Sequence, residues 1–259
     1  MNPAPRASST EPPHLWPASY AFTNTTARRW NQVQSDGLAG EKALVAILRG
    51  VVPERALGVA RVLYAVGFRT IEVPLNSPDP FASIAALAAG LPPDCLVGAG
   101  TVLNAGDVGR THAAGGGLIV SPNFDAEVIG AATHRAMRVL PGIATATEAF
   151  AALRAGARQL KLFPATTYGP RHLQALRTVL PPGTQILPVG GIAAGHLVDW
   201  LAAGAAGFGF GSELFRPEYG LGDIERRGQL LVRAFREARD RLEVPPGEAA
   251  MTRTSGESA

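Results

Sequence analysis

The chain has 259 residues, of which 46% are hydrophobic and 17% charged, with a formal net charge of +3. That supplies apolar material for a full core, and a charged fraction below the roughly 25% of an average globular protein excludes a polyelectrolyte surface. The arginines are scattered, with only short pairs such as Arg28-Arg29 and Arg226-Arg227, so no basic stripe points to nucleic acid, while a mild positive balance suits a small anionic substrate. Cys95 is the single cysteine, which excludes an intrachain disulfide and a thiolate metal cluster. No apolar run reaches the length of a membrane span and the N-terminus lacks a secretory pattern, so the expectation is a cytoplasmic protein without a membrane partner.

Residues 1–24 are rich in Pro, Ser and Thr and read as a disordered extension; residues from about 25 to 40 are expected to form a helix over one end of the core. A repeating pattern starts at Ala43. Leu44–Leu48 reads as a strand and Pro53–Val66 as a helix, with proline at its start and Gly67 at its end. Thr70–Val73 is the second strand, followed by a helix over Pro78–Ala89; Leu96–Ala99 is the third, followed by a helix over Asn104–Ala114. Leu118–Val120 precedes a helix over Asp125–Arg135, and Arg138–Leu140 precedes one over Thr145–Ala155, where Thr145 and Glu148 are spaced as a capping box. Leu160–Leu162 leads to a helix over Pro170–Leu180, Ile186–Val189 to one over Ala193–Ala203, and Gly207–Phe210 to a long helix over Ile224–Leu242. From residue 244 the composition is again polar and reads as a loose tail. Gly67, Gly115, Gly156 and Gly204 each stand just before a strand, a weak internal repeat.

Eight strands alternating with eight helices predict an α/β fold with parallel strands and right-handed crossovers, here a single-domain (β/α)8 TIM barrel over residues 25–243. The competing arrangement is an open, doubly wound sheet, which lacks its glycine fingerprint after the first strand.

Barrel enzymes draw their chemistry from the C-terminal ends of the strands. The polar residues there are Arg49, Glu72, Thr101, Asn123 (in Ser121-Pro122-Asn123) and Lys161, with Phe163 two residues beyond the lysine. Lys161 stands out because the chain has only two lysines, the other being Lys42. Arginine keeps its proton, whereas a desolvated lysine can lose it and attack a carbonyl. A surface lysine that snorkels from a strand end is the plainer alternative. Strand alternation sets Glu72 between Ile71 and Val73, and Lys161 between Leu160 and Leu162. The aliphatic pairs can face the helices, leaving both ionisable groups in one confined interior, either as a shifted pair or as a plain ion pair. Gly190-Gly191 after the seventh strand and Gly211-Ser212 after the eighth occupy the loops that commonly hold phosphate in such barrels, though tight turns without a ligand would use the same residues. The five histidines fall in the N-terminal stretch or in predicted helices, without metal-ligand spacing.

The segments Ala-Ile-Leu-Arg49-Gly, Ile-Glu72-Val-Pro-Leu-Asn-Ser-Pro, Gly-Ala-Gly-Thr101-Val, Ser-Pro-Asn123, Pro-Gly142, Leu-Lys161-Leu-Phe-Pro and Val189-Gly-Gly191 stand in order. From about Ala43 to Leu242 the chain resembles the class I 2-keto-3-deoxy-6-phospho-sugar-acid aldolases. Within that family, the Pro-Leu-Asn-Ser segment and Val189 look like the branch acting on the 6-phosphogalactonate epimer; the gluconate branch typically has an arginine-threonine pair in the first place and threonine in the second. The resemblance implies a metal-independent lyase without cofactor, acting on a phosphorylated keto-sugar acid. Lys161 would form the Schiff base and Glu72 would move protons. Arg49 and Thr101 would hold the substrate carboxylate, with Phe163, Pro122 and Asn123 packing against the substrate. Gly190, Gly191, Gly211 and Ser212 would bind the 6-phosphate, and Val189 would adjoin the C4 hydroxyl where the epimers differ. A homotrimer is implied as well. Rival expectations are an enzyme of the same mechanism preferring the gluconate epimer, a non-catalytic phosphate-binding barrel, and a synthase or isomerase of phosphorylated metabolites.

Overall fold

The structure, a computed structural model, describes residues 40–243, all within one compact unit spanning Gly37–Ala259. The expected extension over residues 1–24, the helix from about 25 to 40 and the tail from residue 244 lie outside the described residues.

A 3-10 turn (Gly40–Ala43) leads into β1 (Leu44–Ile47), α1 (Pro53–Ala65), β2 (Thr70–Pro74), α2 (Pro80–Gly90), β3 (Leu96–Gly100), α3 (Ala105–Ala113), β4 (Leu118–Val120), α4 (Ala126–His134) and β5 (Arg138–Leu140). Then come β6 (Gly142–Ile143), α5 (Ala146–Arg154), β7 (Gln159–Leu162), α6 (Ala165–Val179), β8 (Gln185–Pro188), α7 (Leu197–Ala202), β9 (Phe208–Phe210) and α8 (Leu221–Glu243). All strand pairs are parallel. Six strands form one sheet in the order β5-β4-β3-β2-β1-β9, and three form another in the order β6-β7-β8.

Local chemistry explains most boundaries. Asn104 caps α3 by accepting from the Asp107 N–H at 2.9 Å, and Asp125 caps α4 by accepting from the Glu127 and Val128 N–H groups, also at 2.9 Å. The capping box at α5 is complete: Thr145 Oγ1 accepts from the Glu148 N–H, and Glu148 Oε2 accepts from the Thr145 N–H. Gly67, Gly115, Gly156 and Gly204 all have positive φ, so the repeat read from the sequence marks left-handed helix ends that glycine reaches at no steric cost.

Several elements depart from expectation, among them the last helix, which starts at Leu221 rather than Ile224. The expected fifth strand is found at Arg138–Leu140 as β5, but a further short strand, β6, follows it: Pro141 cannot donate to a ladder, so β5 pairs with β4 before it and β6 pairs with β7 after it. Helix α2 starts at Pro80 rather than Pro78, since Asp79, the residue before a proline, sits outside the right-handed helical region at φ 36°. Helix α6 begins at Ala165, a first turn separated by Gly169 (φ 76°) from the stretch that Pro170 opens. The helix expected over Ala193–Ala203 is a 3-10 turn (Ala194–His196) followed by α7.

Alternation along the strands divides the core into two apolar clusters. Ile71, Val73, Leu160 and Leu162 pack outward with helix residues such as Leu63, Leu87 and Leu173. Val45, Ile47, Leu118, Val120, Leu140, Leu187 and Val189 form a second cluster on the other face, drawn from both sheets. Each such aliphatic side chain, fully buried, is stabilising by about 1.5–3 kcal/mol. Among the described residues no helix is long and apolar enough to cross a membrane.

Removing the Thr145 cap leaves a helix donor without its partner. Thr145→Ala should lower unfolding stability by about 1 kcal/mol, read from the urea midpoint at constant slope.

Candidate active site

Glu72 and Lys161 emerge where alternation sends them, on the face opposite Ile71, Val73, Leu160 and Leu162, with side chains only 2% and 6% exposed. Glu72 stands in register with Ile47 on one side and Gly98 on the other, and Lys161 with Gly142 and Leu187. Glycine is required next to the carboxylate: a methyl group on Gly100 would collide with Glu72 Oε2 and Cδ. The carboxyl therefore lies over bare backbone, and its Oε2 is buried without a hydrogen-bond partner.

Burial drives both groups toward their neutral forms. Desolvation raises the Glu72 carboxyl from 4.5 to about 7, with the positive charges of Lys161 and Arg49 pulling it partly back. Desolvation lowers the Lys161 amine from its ordinary range, opposed by the Glu72 charge and assisted by repulsion from Arg49. Among the described residues, none of the ion pairs within 4.0 Å involves Lys161 or Glu72. The Lys161 ammonium nitrogen instead lies 4.8 Å from the centre of the Phe163 ring. An unprotonated amine is a nucleophile, and a carboxyl titrating near neutrality serves as both acid and base.

Three strand ends converge on Arg49. It is exposed, follows β1, and donates through Nη1 to Asn76 Oδ1 beyond β2 at 2.6 Å and through Nη2 to Thr101 Oγ1 beyond β3 at 3.3 Å. Thr101 holds a left-handed backbone (φ 56°), a strained state for a β-branched residue. Beside it the Gly50 N–H donates to the buried Ser77 hydroxyl at 2.9 Å. Asn76, Ser77 and Gly100 are absent from the expected site residues. Asn76 and Ser77 stand in a segment the sequence marks, but their partners lie 27 positions away, beyond the reach of motif spacing.

The remaining expected residues occupy neighbouring loops. The Pro122 carbonyl crowds Gly142, the register partner of Lys161, whereas Asn123 turns its amide to the Phe124 carbonyl at 3.0 Å. A Cβ on Gly190 would stand 3.4 Å from the Phe163 ring, and the Gly190 carbonyl accepts from the Thr166 N–H. Gly191 has φ 72° and lies against the Thr166 side chain. A parallel bridge between Val189 and Gly209 sets the loop after β8 beside β9, and so beside Gly211 and the exposed Ser212. Val189 itself is buried in the inner apolar cluster.

A cleft of about 230 Å³ lined by Leu87, Leu91, Cys95 and Gly115 lies at the start of β3, while the ionisable cluster stands at its end. Chemistry rather than size places the candidate site. Among the described residues no group of three or more His, Cys, Asp or Glu side chains could hold a metal ion. His172 is occupied with the Ala144 carbonyl at 2.6 Å, and His112, His134 and His196 are exposed; His14 lies outside the described residues.

Residues 38–226 match the profile of the KDPG and KHG aldolases. The chain belongs to that aldolase family. It is 46% identical over 195 residues to a probable 2-dehydro-3-deoxy-6-phosphogalactonate aldolase of Rhizobium meliloti (strain 1021), covering 75% of this chain and 92% of the relative. It is 43% identical over 195 residues to the 2-dehydro-3-deoxy-6-phosphogalactonate aldolase of Escherichia coli (strain K12), covering 75% and 95%. A solved structure described as native KDPGal superposes with a TM-score of 0.75 at 43% identity, covering 76% of this chain and 96% of that one. The family match spans the chain from before β1 into α8, so Arg49, Glu72, Thr101 and Lys161 all lie inside it.

Burial of Glu72 has a signature in stability. Its folded pKa is raised, so the contribution of its neutral form is complete below 4.5 and is lost as pH rises through about 7. Glu72→Gln cannot ionise. Its melting temperature should pull ahead of wild type across that window and keep a constant lead above it, and a gap that does not change with pH would refute the burial argument.

Proposed function

We propose that this chain is a class I, Schiff-base aldolase that cleaves 2-dehydro-3-deoxy-6-phosphogalactonate to pyruvate and D-glyceraldehyde 3-phosphate, a step of galactonate breakdown. The observation that carries the reading is the buried Lys161–Glu72 pair, both shifted toward neutrality in one apolar enclosure. The Lys161 amine adds to the C2 carbonyl, and the carbinolamine, its hydroxyl protonated by the Glu72 carboxyl, loses water to give the protonated imine. Glu72, as carboxylate, takes the proton of the C4 hydroxyl. The C3–C4 bond breaks, its electron pair flows into the imine to give an enamine, and the aldehyde leaves. Glu72 then returns the proton to C3, and water releases pyruvate from Lys161. The route needs an amine rather than a metal ion.

Arg49 and Thr101 are assigned to the carboxylate, since the guanidinium offers a charged fork beside the pair. Phe163, stacked over the lysine nitrogen, with Pro122 and Asn123, would bound the reacting carbons. The glycine loops at Gly190-Gly191 and Gly211-Ser212 would take the 6-phosphate, where exposed backbone suits a close approach of oxygens. Val189 presents only methyl groups, giving the C4 hydroxyl no polar partner.

We also read the two sheets as one closed (β/α)8 barrel. Pro141 divides one strand between the sheets, the Val189–Gly209 bridge links β8 to β9, and the inner apolar cluster draws on both. The family resemblance supports a homotrimer in the cytoplasm.

Borohydride reduction in the presence of pyruvate should leave an adduct on Lys161, located by peptide mass. Lys161→Ala should give no adduct and only background turnover while folding normally; ordinary turnover in that variant would end the Schiff-base reading. For the epimer, Val189→Thr should shift the ratio of kcat/KM values toward the gluconate substrate by about tenfold. An unmoved ratio would remove Val189 as the discriminator.

A further inference from the structure

We propose that Asn76 is the positioning residue for Arg49, and that it must be a neutral acceptor so that Arg49 keeps its full charge for the substrate carboxylate. The proposal rests on the assignment of Arg49 as the carboxylate anchor.

An exposed arginine on a flexible stem has about 2 kcal/mol of rotamer entropy and no reason of its own to hold one geometry. Here the guanidinium is held from the side by Asn76 Oδ1 at 2.6 Å. Guanidinium only donates, so the Asn76 atom facing it has to be the oxygen. The neighbouring residue grips the next peptide, because Ser77 Oγ accepts from the Gly50 N–H at 2.9 Å. Asn76 and Ser77 thus hold Arg49 and Gly50 as two consecutive pairs. Their own turn is fixed in place: the Leu75 N–H donates to the Gly100 carbonyl at 2.8 Å, and the Ser77 N–H to the Pro74 carbonyl at 2.9 Å. Of the five guanidinium N–H groups, Asn76 and Thr101 use two, which leaves three and hence a fork for a carboxylate.

The charge of the acceptor matters as much as its position. An aspartate in this place would reach Arg49 with the same geometry but would neutralise it, and would repel an incoming carboxylate. It would also add an anion near Glu72, which already feels the field of Arg49. An uncharged amide oxygen orients the guanidinium without competing for it.

The test compares wild type, Asn76→Ala and Asn76→Asp by the pyruvate concentration that half-saturates borohydride trapping on Lys161, and by KM and kcat for aldol cleavage. Asn76 is exposed, so both variants should fold, with melting temperature as the control. Asn76→Ala should raise half-saturating pyruvate and KM by about tenfold with kcat within about twofold, the pattern of lost binding common to ground and transition states. Asn76→Asp should be worse than alanine, by about another tenfold, despite matching asparagine in shape. Aspartate restoring wild-type saturation would show a purely structural anchor and overturn the proposal, as would alanine behaving like wild type. If wild type itself forms no adduct on Lys161, the aldolase reading fails first and the proposal falls with it.

Discussion

An amine and a carboxyl share a space from which water is largely excluded, and neither is neutralised by direct contact with the other. The geometry around them depends on that. A close ion pair would keep Lys161 protonated and useless as a nucleophile, because the Coulombic gain favours both charged forms. Here burial outweighs mutual attraction, as the upward shift of Glu72 and the downward shift of Lys161 both indicate. Gly100 leaves room beside Glu72, Phe163 covers the lysine nitrogen, and the alternating aliphatic residues on the same strands carry the packing with the helices. A buried carboxyl oxygen without a partner costs about 1–3 kcal/mol. The core around it, built from Leu, Ile and Val in two clusters, is large enough to offset such a cost.

Arg49 is the third charge of the cluster and differs from the other two in being exposed. Its position at the rim lets it meet an anion from solution while its field still reaches inward, lowering the pKa of both Glu72 and Lys161. A single permanent cation therefore favours the unprotonated amine and keeps the carboxyl from rising so far that it could not ionise. Substituting lysine there would remove the fork and with it the geometry shared with Asn76 and Thr101.

Much of this was legible in the sequence because period and composition carry it directly. The alternation of Glu72 and Lys161 with aliphatic neighbours placed them on one face, the Thr145–Glu148 spacing marked a helix start, and four glycines marked the approach to strands. Other features were not legible for physical reasons. Pro141 separates β5 from β6, which serve different partners, and the short stretch Arg138–Leu140 does not reveal that exchange. Two prolines at 78 and 80 both look like helix starts, and only the backbone of Asp79 decides between them. The grip of Asn76 on Arg49 and the clearance of Gly100 beneath Glu72 are relations between strands, set by register, so no local pattern announces them.

Thr101 shows how such local conflicts are confined. A β-branched residue in the left-handed region costs on the order of 1–3 kcal/mol, and glycine or asparagine would relieve it. Glycine, however, would remove the hydroxyl that accepts from Arg49. The strained backbone, the orphan carboxyl oxygen of Glu72 and the desolvated amine of Lys161 thus lie at the same ends of the strands. The helices behind them are capped and packed by ordinary rules. Departures from local preference that gather in one place, around an amine, a carboxyl and a guanidinium, are what is expected at a functional site rather than in a core that only packs.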